Sequence, residues 1–272
     1  MKVRVYGASG PFVVVLHGGP GAPGYMAPVA QALADTFRVL EPVQRGSGSE
    51  PLTVARHVDD LHKLVEERCG DVRPVLVGHS WGAMLALAYA AAHPGRVIAV
   101  ALIGCGTFDR AARERMRSIQ EERTDDNLRR RLEHLPEEFP NINDRLRVRG
   151  KLIQQLDSCE LISTDEEDEA VDARANHETW QDMLRLQEQG VYPAAFAAIH
   201  VPVIMLHGDY DSHPGHMIRA SLEPHLPQLQ YREWKRCGHY PWLENAVFDE
   251  FFAVLREWLA RQFTKGPRAA II

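Results

Sequence analysis

Apolar residues in this chain gather into short, nearly continuous runs: residues 12–16 (FVVVL), 37–42 (FRVLEP), 73–78 (RPVLVG), 96–103 (RVIAVALI) and 201–207 (VPVIMLH). Runs of that length are the pattern of strands buried on both faces of a sheet. Residues 2–6 alternate like a strand with one exposed face, and 230–234 supply a last strand, giving about seven. Between them lie segments with helical spacing at 26–35, 53–69, 81–93, 215–225 and 245–262. In 53–69, Val54, Val58, Leu61 and Val65 fall on one face, which leaves His57 and His62 as expected surface residues. Alternation of buried strands with helices predicts βαβ units, hence an α/β fold with a mainly parallel sheet covered on both faces.

The strand rhythm stops between residues 107 and 192, where charged helical sequence takes over. An insertion of that length between two strands is too long for a loop, so a small helical subdomain is expected there. The predicted organisation is a core of residues 1–106 and 193–264, a helical cap or lid at 107–192, and a disordered tail at 265–272. Eight arginines in residues 110–131 are nearly balanced by seven acidic residues in 109–133, which reads as an ion-paired helix face rather than an RNA-binding patch. The run DEEDE at 165–169 suits a helix start.

Composition adds mainly exclusions. The 272 residues are 45% hydrophobic and 25% charged, enough for a sizeable core. A net charge of −6, with 31 basic and 37 acidic residues, argues against nucleic acid as a partner. The N-terminus MKVRVYGASG lacks a secretory h-region, and no apolar run approaches the ~20 residues of a membrane span. A soluble, cytoplasmic protein with no membrane partner is expected; oligomeric state is not legible. Cys69, Cys105, Cys159 and Cys237 form no paired motif and are expected to be reduced, mostly buried thiols.

The chemistry centres on Gly78-His79-Ser80-Trp81-Gly82, between an apolar run and a small-residue helix. Glycines on both sides allow a sharp strand-to-helix bend with Ser80 at its apex, its hydroxyl exposed above the helix N-terminus. Residues 17–24 (HGGPGAPG) hold four glycines and two prolines, and read either as a plain connector or as a loop whose N–H groups approach a developing oxyanion. Gly46-Ser47-Gly48 lacks the Lys-Ser/Thr of a phosphate cradle. His207, Asp209, Asp211, His213 and His216 have metal-ligand types, but their spacing fits no metal motif, and no metal or other cofactor is expected. A serine needs a base, and the base needs a carboxylate to fix its tautomer. Ser80, Asp211 and His239 occur in that order, each just beyond a predicted strand. All three loops would emerge at the carboxyl edge of the sheet.

These motifs resemble those of the α/β-hydrolase superfamily, and within it the proline iminopeptidase branch. The matching segments are HGGPG at 17–21, GHSWG at 78–82, QRGSGSE at 44–50 and GHYPWLEN at 238–245. The resemblance covers residues 2–106 and 200–262. It implies an α/β-hydrolase fold, selects Asp211 over Asp209 as the acid, and assigns the backbone N–H groups of Gly19 and Trp81 to an oxyanion hole. It implies a serine hydrolase working through an acyl-enzyme, an aminopeptidase on small peptides or amides; Gly18, Pro20 and Glu178 are expected near the substrate, Glu178 as one of several nearby acids that the motif does not place. The alternative is a carboxylesterase or lactonase; a non-catalytic ligand-binding protein on the same fold ranks behind both. Two departures stand out. The N-terminal hairpin is shortened, and Ala175-Asn176-His177 has alanine where the branch carries an amine-binding glutamate.

Overall fold

The computed structural model describes residues 1–162 and 170–264; the acidic run at 165–169 and the segment 265–272 lie outside the described residues. Strands β1 (Val3–Tyr6), β2 (Phe12–Leu16), β3 (Arg38–Pro42), β4 (Val75–His79), β5 (Ala99–Ile103), β6 (Val203–Gly208) and β7 (Leu229–Trp234) form one sheet. Their order is β1-β3-β2-β4-β5-β6-β7. β1 runs antiparallel to β3, and the other neighbours pair in parallel.

Successive residues of the central strands feed two separate cores, which is why their sequences are apolar without alternation. Val14, Leu16, Leu76, Val100, Leu102, Val203 and Met205 face α2 (Val54–Cys69), α3 (Trp81–Ala92) and α8 (Gly215–Leu222). Val13, Val15, Val75, Val77, Ala101, Ile103 and Leu206 pack with α1 (Ala27–Leu33) and α9 (Phe248–Thr264) on the other side. Helix α3 is buried continuously from Trp81 to Ala90, and its alanines let it lie close against the sheet. From β2 the chain moves outward to β3 and then returns to β4 on β2's other side. This reversal opens a crevice at the carboxyl ends of β2 and β4, where open α/β sheets bind ligands.

Among the described residues, four α-helices lie between β5 and β6: α4 (Arg110–Arg123), α5 (Asp126–Glu138), α6 (Ile142–Leu156) and α7 (Ala173–Glu188). Each starts at an Asx cap, with Asp109, Asp125, Asn141 and Asp172 accepting backbone N–H groups of the first turn. Glu178 and Asp182, one turn apart on α7, dock on the start of α2. They accept the N–H groups of Leu52 at 2.9 Å and Val54 at 2.8 Å. Val54 N–H has no acceptor within its own helix, Leu52 stands just before the N-cap Thr53, and the positive dipole end favours the carboxylates.

His57 corrects the surface expectation. It is 2% exposed, its Nε2 lies 2.9 Å from Thr179 Oγ1 on α7, and burial lowers its pKa to about 4. The helical pattern of α2 gave it to the solvent side, but α7 covers that side. His62 is half-buried and stacks on His93. Cys69, Cys105 and Cys237 are buried free thiols, whereas Cys159 is exposed.

Candidate active site

Ser80 joins β4 to α3 with φ 52° and ψ −116°, a left-handed conformation costly to a residue with a Cβ. The bend persists because its surroundings leave no alternative. A Cβ on Gly78 would fall 2.2 Å from the carbonyl oxygen of Gly82, and one on Gly82 would fall 2.3 Å from that of Leu16. The backbone N–H of Ser80 donates to Ile103 O at 2.9 Å, pinning the apex to β5.

The loop after β2 reaches the same point. A Cβ on Gly18 would lie 2.8 Å from Ser80 Cβ and 2.4 Å from the Tyr25 hydroxyl, so glycine lets this loop press on the elbow. Gly19 and Ser80 line one cavity, and Trp81, as the first residue of α3, has an N–H with no intrahelical acceptor. Gln44 braces the elbow against the loop after β2. It accepts from Trp81 Nε1 at 2.7 Å and donates its amide to His17 O at 2.8 Å. The QRG segment marked Gln44 in the sequence, but its bracing role needs the fold.

Asp211, beyond β6, and His239, beyond β7, meet at 2.7 Å between Oδ2 and Nδ1, and both side chains are buried. Burial would raise the Asp211 carboxyl, but the electrostatic influence of the surrounding imidazoles, His239 first, then His213 and His207, together with the hydrogen bond from His213, outweighs it and holds the group well below the carboxylate range. His239 also donates its backbone N–H to Asp157 O at 2.8 Å, at the end of α6. Under it lies His79, hydrogen-bonded to His239 O at 3.0 Å and to the Tyr25 hydroxyl at 2.9 Å. Burial, followed by the charge of His239, keeps His79 well below the ordinary histidine range and hence neutral.

Of the metal-ligand types seen in the sequence, the structure gathers Asp211, His213 and His207; Asp209 instead pairs with Lys235 at 3.4 Å. Asp211, His213 and His239 bring donor atoms within 4.8 Å of one another. Their N···O separations of 2.7 and 2.9 Å are those of N–H···O bonds, so the cluster is a hydrogen-bonded carboxylate.

Glu244 fixes the His239 loop. It is fully buried and accepts the N–H groups of Gly238 (2.8 Å), Cys159 (2.9 Å) and Glu160 (2.8 Å). Glu244→Ala strands three donors and is expected to cost about 3 kcal/mol. Thermal unfolding should show this as a fall in Tm of roughly 6 to 12 °C; a shift within about 1 °C would refute the clamp.

The cavity measures about 260 Å³ and is lined by Gly19, Tyr25, His79, Ser80, His239 and Tyr240 from below. Leu146, Arg147, Lys151 and Gln154 of α6 and Asn176 of α7 close it from above. A larger groove of about 510 Å³ between residues 45–50 and α2 shares no residue with it. Three residues expected near the substrate, Gly18, Pro20 and Glu178, are not among the residues lining the cavity. Gly18 is the spacer behind Ser80, and the carbonyl of Pro20 accepts from Asn176 Nδ2 at 2.9 Å. The carboxylate of Glu178 is taken by Leu52 N–H and Arg174, which hold it below its ordinary range.

The model of the alpha/beta hydrolase family matches residues 13–252, which span this whole arrangement. The chain belongs to that family. The chain is 39% identical to the proline iminopeptidase of Neisseria gonorrhoeae over 105 residues, 34% of this chain and 32% of that one. It is 36% identical to epoxide hydrolase A of Mycobacterium tuberculosis over 108 residues, 37% of this chain and 34% of the other. These alignments thus span about a third of each relative's length. In three dimensions the chain is similar to the crystal structure of VinJ, with a TM-score of 0.68 at 19% identity, covering 96% of this chain and 94% of that one. That likeness establishes the fold. Among the described residues, no helix is long and apolar enough to cross a membrane.

Proposed function

We propose that this α/β-hydrolase is a cofactor-independent serine hydrolase in which Ser80 is the nucleophile, His239 the base and Asp211 its carboxylate partner. The observation that carries this is the 2.7 Å bond from His239 Nδ1 to Asp211 Oδ2 beside the cavity that holds the strained Ser80. With Nδ1–H held by the carboxylate, His239 Nε2 is left to take the Ser80 proton as Oγ attacks the substrate carbonyl. The N–H groups of Gly19 and Trp81 receive the oxyanion. Collapse expels the leaving group with the proton from Nε2. Water then attacks the acyl-enzyme with His239 again as base, returning Ser80 and releasing the acid. Residues 1–106 and 193–264 act as the catalytic core, and 107–192 as a cap whose α6 and α7 shape the substrate side.

Among substrates, a small carboxylic ester, lactone or amide fits this site better than a peptide with a free N-terminal amine. Amine recognition needs a carboxylate, and Glu178 is committed to the junction of α7 with α2. Arg147 and Lys151 are the charged groups among the described cavity-lining side chains. Short p-nitrophenyl esters are expected to turn over at least about tenfold faster, by kcat/KM, than proline or alanine arylamides. Glu178→Gln should lower Tm without changing KM for either series. Preference for arylamides, together with a KM raised about tenfold by that substitution, would restore the aminopeptidase reading.

A further inference from the structure

Asp211 serves a second histidine besides His239. His213 donates its backbone N–H to Asp211 Oδ1 at 2.8 Å and brings its ring Nδ1 to the same oxygen at 2.9 Å. Its ring lies parallel to that of His239, centroids 4.4 Å apart and planes 17° apart. Each oxygen of the carboxylate thus holds one imidazole, and the two imidazoles are stacked. The third neighbour, His207, directs Nε2 to the His213 carbonyl at 2.8 Å and lies 3.3 Å from Asp211 Oδ2. It stays neutral, because burial lowers its pKa.

We propose that His213 is a positioning residue for His239, which shares Asp211 with it and, as an imidazolium, opposes protonation of the base. This inference rests on the triad reading above. The carboxylate can balance one cation at a time, and a second proton on the pair would place two positive rings face to face, so the two titrations are coupled. Burial works against a charged His213, but the charge and hydrogen bond of Asp211, aided by Asp157, raise it above the ordinary histidine value.

The other ionisable groups around the pair leave that balance in place. His79, below His239, is neutral. Asp157, at the end of α6, is itself raised by burial and by Asp211, and lies 3.8 Å from Arg123 of α4. Cys105, behind Asp211, is held as a thiol by burial. His213 therefore takes the first proton from the solvent through its partly exposed ring, with 17% of the side chain accessible.

The test uses the whole protein and two readouts. With ¹⁵N-labelled histidine at pH 7, the wild type should show an imidazolium signal that His213→Asn removes. A neutral His213 would overturn the proposal, whatever Ser80 does. The second readout is the rate at which a fluorophosphonate labels Ser80 between pH 4.5 and 8. His213→Asn keeps an N–H donor for Asp211 but carries no charge, so the midpoint of the acid limb should rise by about one pH unit. A lower plateau with an unmoved midpoint would reduce His213 to a packing residue and sink the idea. Absence of labelling in the wild type would instead refute the serine-hydrolase reading, and the ¹⁵N signal would still decide the state of His213.

Discussion

Ser80→Ala is expected to lower turnover by roughly 10⁴- to 10⁶-fold and to abolish fluorophosphonate labelling. In the proposed mechanism the hydroxyl forms the acyl-enzyme, and among the described residues lining the cavity Ser80 is the one serine, threonine or cysteine. What remains is the contribution of Gly19, Trp81 and binding. A companion variant separates chemistry from folding. At φ 52° a Cβ is strained, so Ser80→Gly should be equally inactive yet more stable by about 1 kcal/mol, with Tm raised by roughly 2 to 4 °C. Turnover within tenfold of the wild type in either variant would move the chemistry to another residue.

Asp211→Asn should cost about 10⁴-fold in turnover, because the amide can hold His239 in the wrong tautomer. It should also destabilise the fold, by about 3 to 5 kcal/mol. The present carboxylate accepts from His239 Nδ1, His213 Nδ1 and His213 N–H. An asparagine turns one of its two atoms into a donor facing other donors. The pH dependence has a definite sign. The folded-state pKa of Asp211 is depressed, so its contribution is fully present above the unfolded value of about 3.9 and is lost as pH falls below it. Acid unfolding of Asp211→Asn should therefore be less steep in that range than in the wild type. Equal slopes would mean that Asp211 is not the linked group, and activity must be compared at equal folded fraction.

The strands were legible because burial on both faces leaves a one-dimensional mark, the continuous apolar run. The elbow was legible because Gly78 and Gly82 flank Ser80 in the sequence, and a Cβ at either would meet backbone, that of Gly82 and that of Leu16 respectively. The histidines were not. His57 and His213 look alike in a sequence, as polar residues beside apolar ones. One is neutral under α7, and the other is bonded to a buried carboxylate. Glu178 was ambiguous for a related reason: an acidic residue on a helix reads equally well as an amine binder or as a ligand for a helix N-terminus, until its partner at Leu52 is known.

By itself the sequence determined the order of strands and helices and the Gly-framed bend at Ser80. Both depend on backbone period and on the volume of adjacent residues. Only the tertiary structure decided which groups surround Asp211, what braces the elbow against the loop after β2, and which face of α7 meets the core. Those contacts join residues far apart in the chain, such as Leu52 to Glu178 and His79 to His239. Their partners are chosen by how helices and loops dock, so no local spacing records them.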